Sequence, residues 1–376
     1  MKYFIIAGET SGDLHGANLI EQLKHKDKQS EFRIVGGDAM QTASGEAPLL
    51  HTSQLAFMGF VEVLSNLGKI SKNLKLVRRA LLEHRPDVLI LIDFPGFNLR
   101  IAEFAKKQQI PVCYYISPKI WAWNQKRVHK IKKVVDKMFC ILPFEVEFYK
   151  EWGMEVEYVG NPLLDAISKH KPNPNFLKEK RIDRRPIIAL LPGSREMEVK
   201  KLLPVMSKLK LRFPAHQLVV AGAPNLTHEF YREQMGDLDL PVVFHSTYDL
   251  LQHAEAAVVT SGTATLETAL LNIPQVVVYK ANPLTVSLAR NLIKIKYISL
   301  VNLITDMLAV RELIQKDCST DKIATELDLL INNSEYRDNI LENYALLKRL
   351  VGEPGASEKT ARGIVEFLKE NNSGIE

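Results

Sequence analysis

Short apolar, β-branched runs alternate along the chain with longer stretches whose apolar residues recur at three- and four-residue spacing. Such alternation predicts parallel strands joined by crossover helices. Strands are expected at 3–7, 32–35, 88–92, 112–115, 138–141 and 156–159, which together make one doubly wound unit. Gly160-Asn161-Pro162 and the polar segment 169–175 then interrupt both periodicities and read as a linker. The alternation restarts with strands at 187–191, 218–221, 242–244, 257–259 and 275–279, a second Rossmann-like unit. From about Arg311 onward only helical spacing is visible, ending in a frayed tail near 371–374. The expected organisation is a domain over 1–165, a second over 180–350, and a C-terminal helix and tail over 351–376 packing on the first domain or on a partner subunit. Two α/β domains facing across a cleft direct the carboxyl ends of both sheets into it, where open sheets bind ligands.

Composition narrows the function classes. With 46% apolar and 25% charged residues over 376 positions, the chain is neither disordered nor fibrous. Its 49 Lys and Arg against 44 Asp and Glu leave only +5, too little for a protein that wraps nucleic acid. No apolar run approaches the roughly 20 residues of a membrane-spanning helix. The N-terminal Tyr3-Phe4-Ile5-Ile6 run meets Glu9 at once and lacks the form of a signal peptide, so a cytoplasmic location is expected. Cys113, Cys140 and Cys318 are widely separated and read as reduced, buried thiols; no metal site and no cofactor are expected.

Several strand ends carry candidate chemistry. The first strand runs into Gly8-Glu9-Thr10-Ser11-Gly12-Asp13-Leu14-His15-Gly16, whose spacing is not that of a dinucleotide fingerprint. Glu9, Ser11, Asp13 and His15 form a polar cluster that a merely tight turn does not require. Asp93 follows a strand that reads as buried on both faces and lies between Phe94 and Phe97. It is either a general base with a raised pKa or the cap of the next helix. Leu191-Pro192-Gly193-Ser194-Arg195 gives a helix start with a guanidinium beside it, an anion site in outline. The run from Thr260 through Ser261, Gly262, Thr263 and Ala264 lets a phosphate approach the backbone. Glu267, four residues after Thr263, either accepts from ribose hydroxyls or completes a capping box. Asp237-Leu238-Asp239 has the spacing of metal-dependent sugar-nucleotide transferases, but it precedes a strand and reads as a solvated loop.

Two further stretches point to an anionic or lipid surface. One, 119–133, holds Trp121, Trp123, Lys126, Arg127 and Lys130 and no acid. The other leads from Phe60, Val61, Val63 and Leu64 into Lys69, Lys72, Lys75, Arg78 and Arg79, an apolar face with a cationic rim. The bland alternative is a core helix with ordinary surface lysines.

Taken in order, Ala7 to Asp13, Gly59 to Leu64, Asp93-Phe94-Pro95-Gly96-Phe97-Asn98, Ser117 to Trp123, Leu191 to Arg195 and Ser261 to Glu267 resemble the lipid-A-disaccharide synthases. The resemblance runs from Lys2 to beyond Asn302. It implies a GT-B glycosyltransferase with two Rossmann-like domains and C-terminal helices. The implied donor is UDP-2,3-diacylglucosamine and the acceptor 2,3-diacylglucosamine 1-phosphate, joined β-1,6 with inversion and release of UDP. By position, Asp93 matches the family's general base, and Glu9 and Ser11 its N-terminal cleft loop. Gly193, Ser194, Arg195, Ser261, Gly262, Thr263, Ala264, Glu267 and Asn302 match donor-site positions. Gly96 stands where some members have a second Asp, and Val301 where many have Pro. The resemblance also implies peripheral association with the inner face of the cytoplasmic membrane; a homodimer and the absence of nucleic acid complete the partner expectations. A UDP-sugar epimerase and a non-catalytic UDP-dependent membrane-binding module are the competing classes.

Overall fold

Alternate residues of each central strand enter opposite cores, which explains why these strands read as continuous apolar runs. In the computed structural model, which describes residues 1–55, 67–281 and 296–373, Phe4 and Ile6 pack with Leu89, Leu91, Val112 and Tyr114. Tyr3, Ile5 and Ala7 pack with Val88, Ile90, Ile92, Cys113 and Tyr115 on the other face. The chain divides into two compact units, Met1–Pro162 with Glu353–Glu376, and Leu163–Gly352.

The first unit holds a parallel sheet in the order β2-β1-β3-β4-β5-β6. Its strands are β1 (Lys2–Ala7), β2 (Glu31–Val35), β3 (Val88–Ile92), β4 (Val112–Tyr115), β5 (Lys137–Cys140) and β6 (Glu157–Tyr158). The chain leaves β1 in one direction to reach β2 and in the other to reach β3, so the topological switch lies between β1 and β3. Ala361, Ile364, Val365 and Leu368 of the last helix, Ala356–Ser373, belong to the core under the first helix, Thr10–Lys26.

The second unit holds a sheet in the order β12-β11-β10-β7-β8-β9, with its switch between β7 and β10. Its strands are β7 (Ile187–Leu191), β8 (Gln217–Gly222), β9 (Val242–Phe244), β10 (Ala254–Thr260), β11 (Gln275–Tyr279) and β12 (Glu312–Ile314). β12 corrects the expectation of helices alone after Arg311: it pairs in parallel with β11 at the sheet edge. Three residues with only Leu313 buried are too short to show a period of two. The polar stretch 169–175 is fastened to this unit, since Asn173 N–H donates to Asp249 Oδ1 at 2.8 Å and Phe176 is fully buried in its core.

Candidate active site

Strand register brings the first set of candidate residues together. Ala7 pairs with Ile92, and Ile92 with Tyr115, so the next residues, Gly8, Asp93 and Ile116, leave the sheet side by side at the switch point. Asp93 and Phe94 both have left-handed backbones, φ 42° and 48°. Each costs about 1–3 kcal/mol and persists only where the surroundings hold it. Here the Asp93 carbonyl accepts from Asn98 Nδ2 at 2.8 Å and from the Tyr114 hydroxyl, while Asp93 N–H donates to Tyr115 O at 3.1 Å. The turn therefore aims a side chain and does not merely reverse the chain.

That side chain does not cap the helix Pro95–Lys107. Phe94 is the cap residue, and no side chain bonds the helix start. Burial lifts the Asp93 carboxyl from 3.8 to about 6; the Lys119 ammonium and the Phe94 N–H work against the shift, and the Glu9 charge works with it. Glu9 stands half-buried at the head of the Thr10–Lys26 helix, and Ser11 is exposed in its first turn. Asp13, by contrast, has left the polar cluster. Its carboxylate accepts from the backbone N–H groups of Gly37, Ala39 and Met40 at 2.6, 3.1 and 3.1 Å, capping the helix Asp38–Ser44.

In the second unit, Val259 pairs with Leu191, so the turns after β7 and β10 also emerge together. Their two helix starts differ. At the helix Glu196–Ser207, Glu198 folds back so that its Oε2 accepts from Ser194 N–H at 3.2 Å and Arg195 N–H at 3.4 Å. Gly193, with φ 115°, makes room for it: a Cβ there would lie 2.5 Å from Glu198 Oε2. Those N–H groups are already satisfied, so this turn offers an anion chiefly the exposed Arg195 guanidinium, 3.7 Å from Glu198 Oε1. The helix Thr263–Leu270 has no side-chain cap at Gly262, and a Cβ at Gly262 would meet nothing within 4 Å. Open space above an uncapped helix start is what a phosphate requires.

Ser261 and Glu267 frame that opening. The Ser261 hydroxyl donates to Ile298 O at 2.7 Å, fixing the turn. Thr263 is exposed and Ala264 half-buried. Glu267 lies one turn inside the helix and accepts from the Tyr248 hydroxyl at 2.8 Å, not from a cap N–H. Burial raises its pKa against that hydrogen bond. Asn302 is fully buried, with Oδ1 accepting from Val310 N–H and Nδ2 donating to Val310 O and Glu312 Oε1. Its amide is spent on these internal partners.

The basic stretch needs correction. Trp121 is 8% exposed, and its indole N–H donates to the buried Glu145 at 3.1 Å; it is a core residue. Burial pushes Glu145 up to about 7, against N–H donation from Leu142 and Trp121. Lys130 pairs with Glu103 at 2.8 Å, so the acids absent from this stretch are supplied by a neighbouring helix. Trp123 is 48% exposed, with the Arg127 guanidinium 4.9 Å from its ring centroid, and Lys126 is exposed. On the helix Leu67–His84, Lys69, Lys72, Lys75 and Arg79 are exposed, while Leu74, Val77 and Leu81 enter the core. Phe60, Val61, Val63 and Leu64 lie outside the described residues. No helix among the described residues is long and apolar enough to cross a membrane.

Sequence reasoning missed Asn98 and Tyr114 as holders of Asp93, Lys119 as the opposing charge, and Tyr248 as the partner of Glu267. Tyr248 is nineteen residues away on another helix, so no local pattern announces it. Glu198 was legible: a Glu three residues after a helix cap is the capping-box pattern.

The lipid-A-disaccharide synthetase family model matches residues 3–360. The chain is 37% identical over 374 residues to the lipid-A-disaccharide synthase of Geobacter sulfurreducens, covering 98% of this chain and 97% of that protein. It is 40% identical over 377 residues to that of Nitrosococcus oceani, with 98% and 97% covered. Among solved structures it is similar to a UDP-GlcNAc 2-epimerase from Neisseria meningitidis bound to UDP-GlcNAc, with TM-score 0.66, 14% identity, and 98% and 100% of the two chains covered. It is also similar to the glycotransferase of kitacinnamycin, with TM-score 0.65, 14% identity, and 98% and 99% covered. At that identity the structural likeness speaks for the two-domain GT-B fold alone.

Proposed function

The chain belongs to the lipid-A-disaccharide synthase family of glycosyltransferases, and from that premise we propose how its residues divide the reaction. The first unit receives 2,3-diacylglucosamine 1-phosphate and the second UDP-2,3-diacylglucosamine. The acceptor 6-hydroxyl oxygen attacks the anomeric carbon of the donor as the bond to the diphosphate oxygen breaks. Asp93 takes the hydroxyl proton, and the bonding electrons leave with UDP. One in-line displacement inverts the anomeric centre and gives the β-1,6 linkage.

The observation that carries this reading is the placement of Asp93. It is a carboxylate at the switch point of a parallel sheet, held in a left-handed turn, with its pKa lifted to about 6 by burial. Such a group is ionised at neutral pH, yet more basic than an ordinary carboxylate, as a general base should be. Charge building on the diphosphate is met by the uncapped start of the Thr263–Leu270 helix and by Arg195. Glu267, oriented by Tyr248, accepts from the ribose hydroxyls. Asn302 acts through the loop it holds, by tying residues 299–312 together. Glu9 and Ser11 line the acceptor side beside Asp93.

Acylated substrates reside at a bilayer, so the protein meets them there. Peripheral association through the cationic face of the Leu67–His84 helix and through Trp123 is the form supported by their exposure. The test is incubation with both acylated sugars and mass analysis for the disaccharide 1-phosphate and UDP. Epimerised UDP-sugar without disaccharide, or no turnover at all, overturns the reading.

A further inference from the structure

The second unit contains a cavity lined by none of the residues assigned to the transfer reaction. About 540 Å³ in volume, it is lined by Lys201, Lys208, Lys280 and Lys316, together with Gln315 and Thr320. Lys201 lies midway along the Glu196–Ser207 helix and Lys208 follows its end, Lys280 follows β11, and Lys316 follows β12. Among the described residues, no carboxylate lines the cavity.

Acids on the surrounding elements are engaged elsewhere: Glu196 with Lys200, Glu198 with Arg195, Asp317 with Lys322, and Asp321 with Arg212. Among the described residues, none of the four lining lysines forms an ion pair. Four cations around one hollow repel one another. A single anion with several oxygens relieves that repulsion.

We propose that this cavity binds a phosphate-bearing anion at a site separate from the nucleotide turns. Ammonium groups act as point charges that suit an anionic phosphate, and the volume falls in the range of small-molecule sites, larger than phosphate alone needs. The chemistry is that of a phosphorylated sugar or of a lipid phosphate headgroup.

The full chain is titrated with pyrophosphate by calorimetry, with UDP saturating the nucleotide turns, and is sedimented with phosphatidylglycerol and with phosphatidylcholine vesicles. Changing Lys201→Ala and Lys280→Ala together is expected to weaken pyrophosphate or phosphatidylglycerol binding by about thirtyfold, at roughly fivefold per lysine. The pair Lys201→Arg and Lys280→Arg should retain it. Lysine-dependent binding of pyrophosphate assigns a soluble phosphate ligand, and lysine-dependent binding of phosphatidylglycerol vesicles alone assigns a headgroup. If the alanine pair does not fold, Lys316→Ala, on an exposed turn, carries the same comparison. Absence of binding to either probe by the unaltered chain, or equal binding by the alanine variants, overturns the site.

Discussion

The ring of Phe94 lies directly over Gly8: a Cβ on Gly8 would stand 2.1 Å from Phe94 Cδ1. The turns after β1 and β3 therefore close on each other, and Asp93, one residue before that ring, takes its aim from the contact. Gly8→Ala must push Phe94 aside. It is expected to lower kcat at least tenfold, a loss of only about 1.4 kcal/mol in transition-state stabilisation. Adding Phe94→Ala to Gly8→Ala should recover part of the turnover, because the intruding methyl then has space. Unchanged turnover in Gly8→Ala would separate the contact from the aim of Asp93.

Asp93→Asn is expected to reduce turnover by about 10²–10⁴-fold with UDP affinity unchanged. The wild-type kcat/KM should rise with pH through an apparent pKa near 6, and the variant should lose that limb. Stability moves the other way. The folded pKa of about 6 lies above the ordinary 3.8, so the folded chain binds the proton more tightly. The stabilisation is complete below about pH 4 and is lost as pH rises through 6. A shift of that size corresponds to roughly 3 kcal/mol, so Asp93→Asn should melt higher than wild type at neutral pH. Thermal unfolding at two pH values measures this.

Gly193 and Gly262 close corresponding turns, but substitution should act on them differently. Gly193→Ala forces a methyl group against Glu198 in a left-handed backbone and should lower the melting temperature. Gly262 has an extended backbone with open space around it, so Gly262→Ala should leave stability near wild type while weakening UDP binding, the methyl standing where a phosphate approaches. Calorimetric UDP titration beside melting curves distinguishes the two.

Tyr248→Phe removes the hydroxyl that donates to Glu267 and should raise the already elevated pKa of that carboxyl further. UDP affinity is then expected to fall most at low pH, where the acid is protonated, and to recover as pH rises. Glu267→Ala should weaken UDP at every pH. UDP affinity independent of both residues would remove Glu267 from the ribose.

Trp121 and Trp123 should separate fold from surface. Trp121→Phe leaves an oxygen of the buried Glu145 without its donor, at a cost of about 1–3 kcal/mol, and should not alter vesicle binding. Trp123→Ala, or Glu in place of Lys69, Lys72 and Lys75, should do the reverse, lowering sedimentation with anionic vesicles at low salt with little change in melting.

Alternation of apolar runs and helical spacing sufficed to define two parallel α/β units, because a strand buried on both faces must be apolar at every position, as Val88–Ile92 is. The same logic put Asp93, Gly193 and Ser261 at strand ends, since the first polar or glycine residue after such a run marks where the sheet stops. Local spacing could not say which partner each side chain would find. Asp13, in the first turn of a helix, and Asp93, in the turn before one, are both acids just past a strand, yet one is taken by the backbone of another helix and the other is left with a raised pKa. Trp121 and Trp123 are two residues apart, and one is core while the other is surface. Those outcomes depend on groups distant along the chain, such as Gly37, Glu145, Tyr114 and Tyr248, which strand register and helix packing bring within hydrogen-bond reach and which no short stretch of sequence encodes.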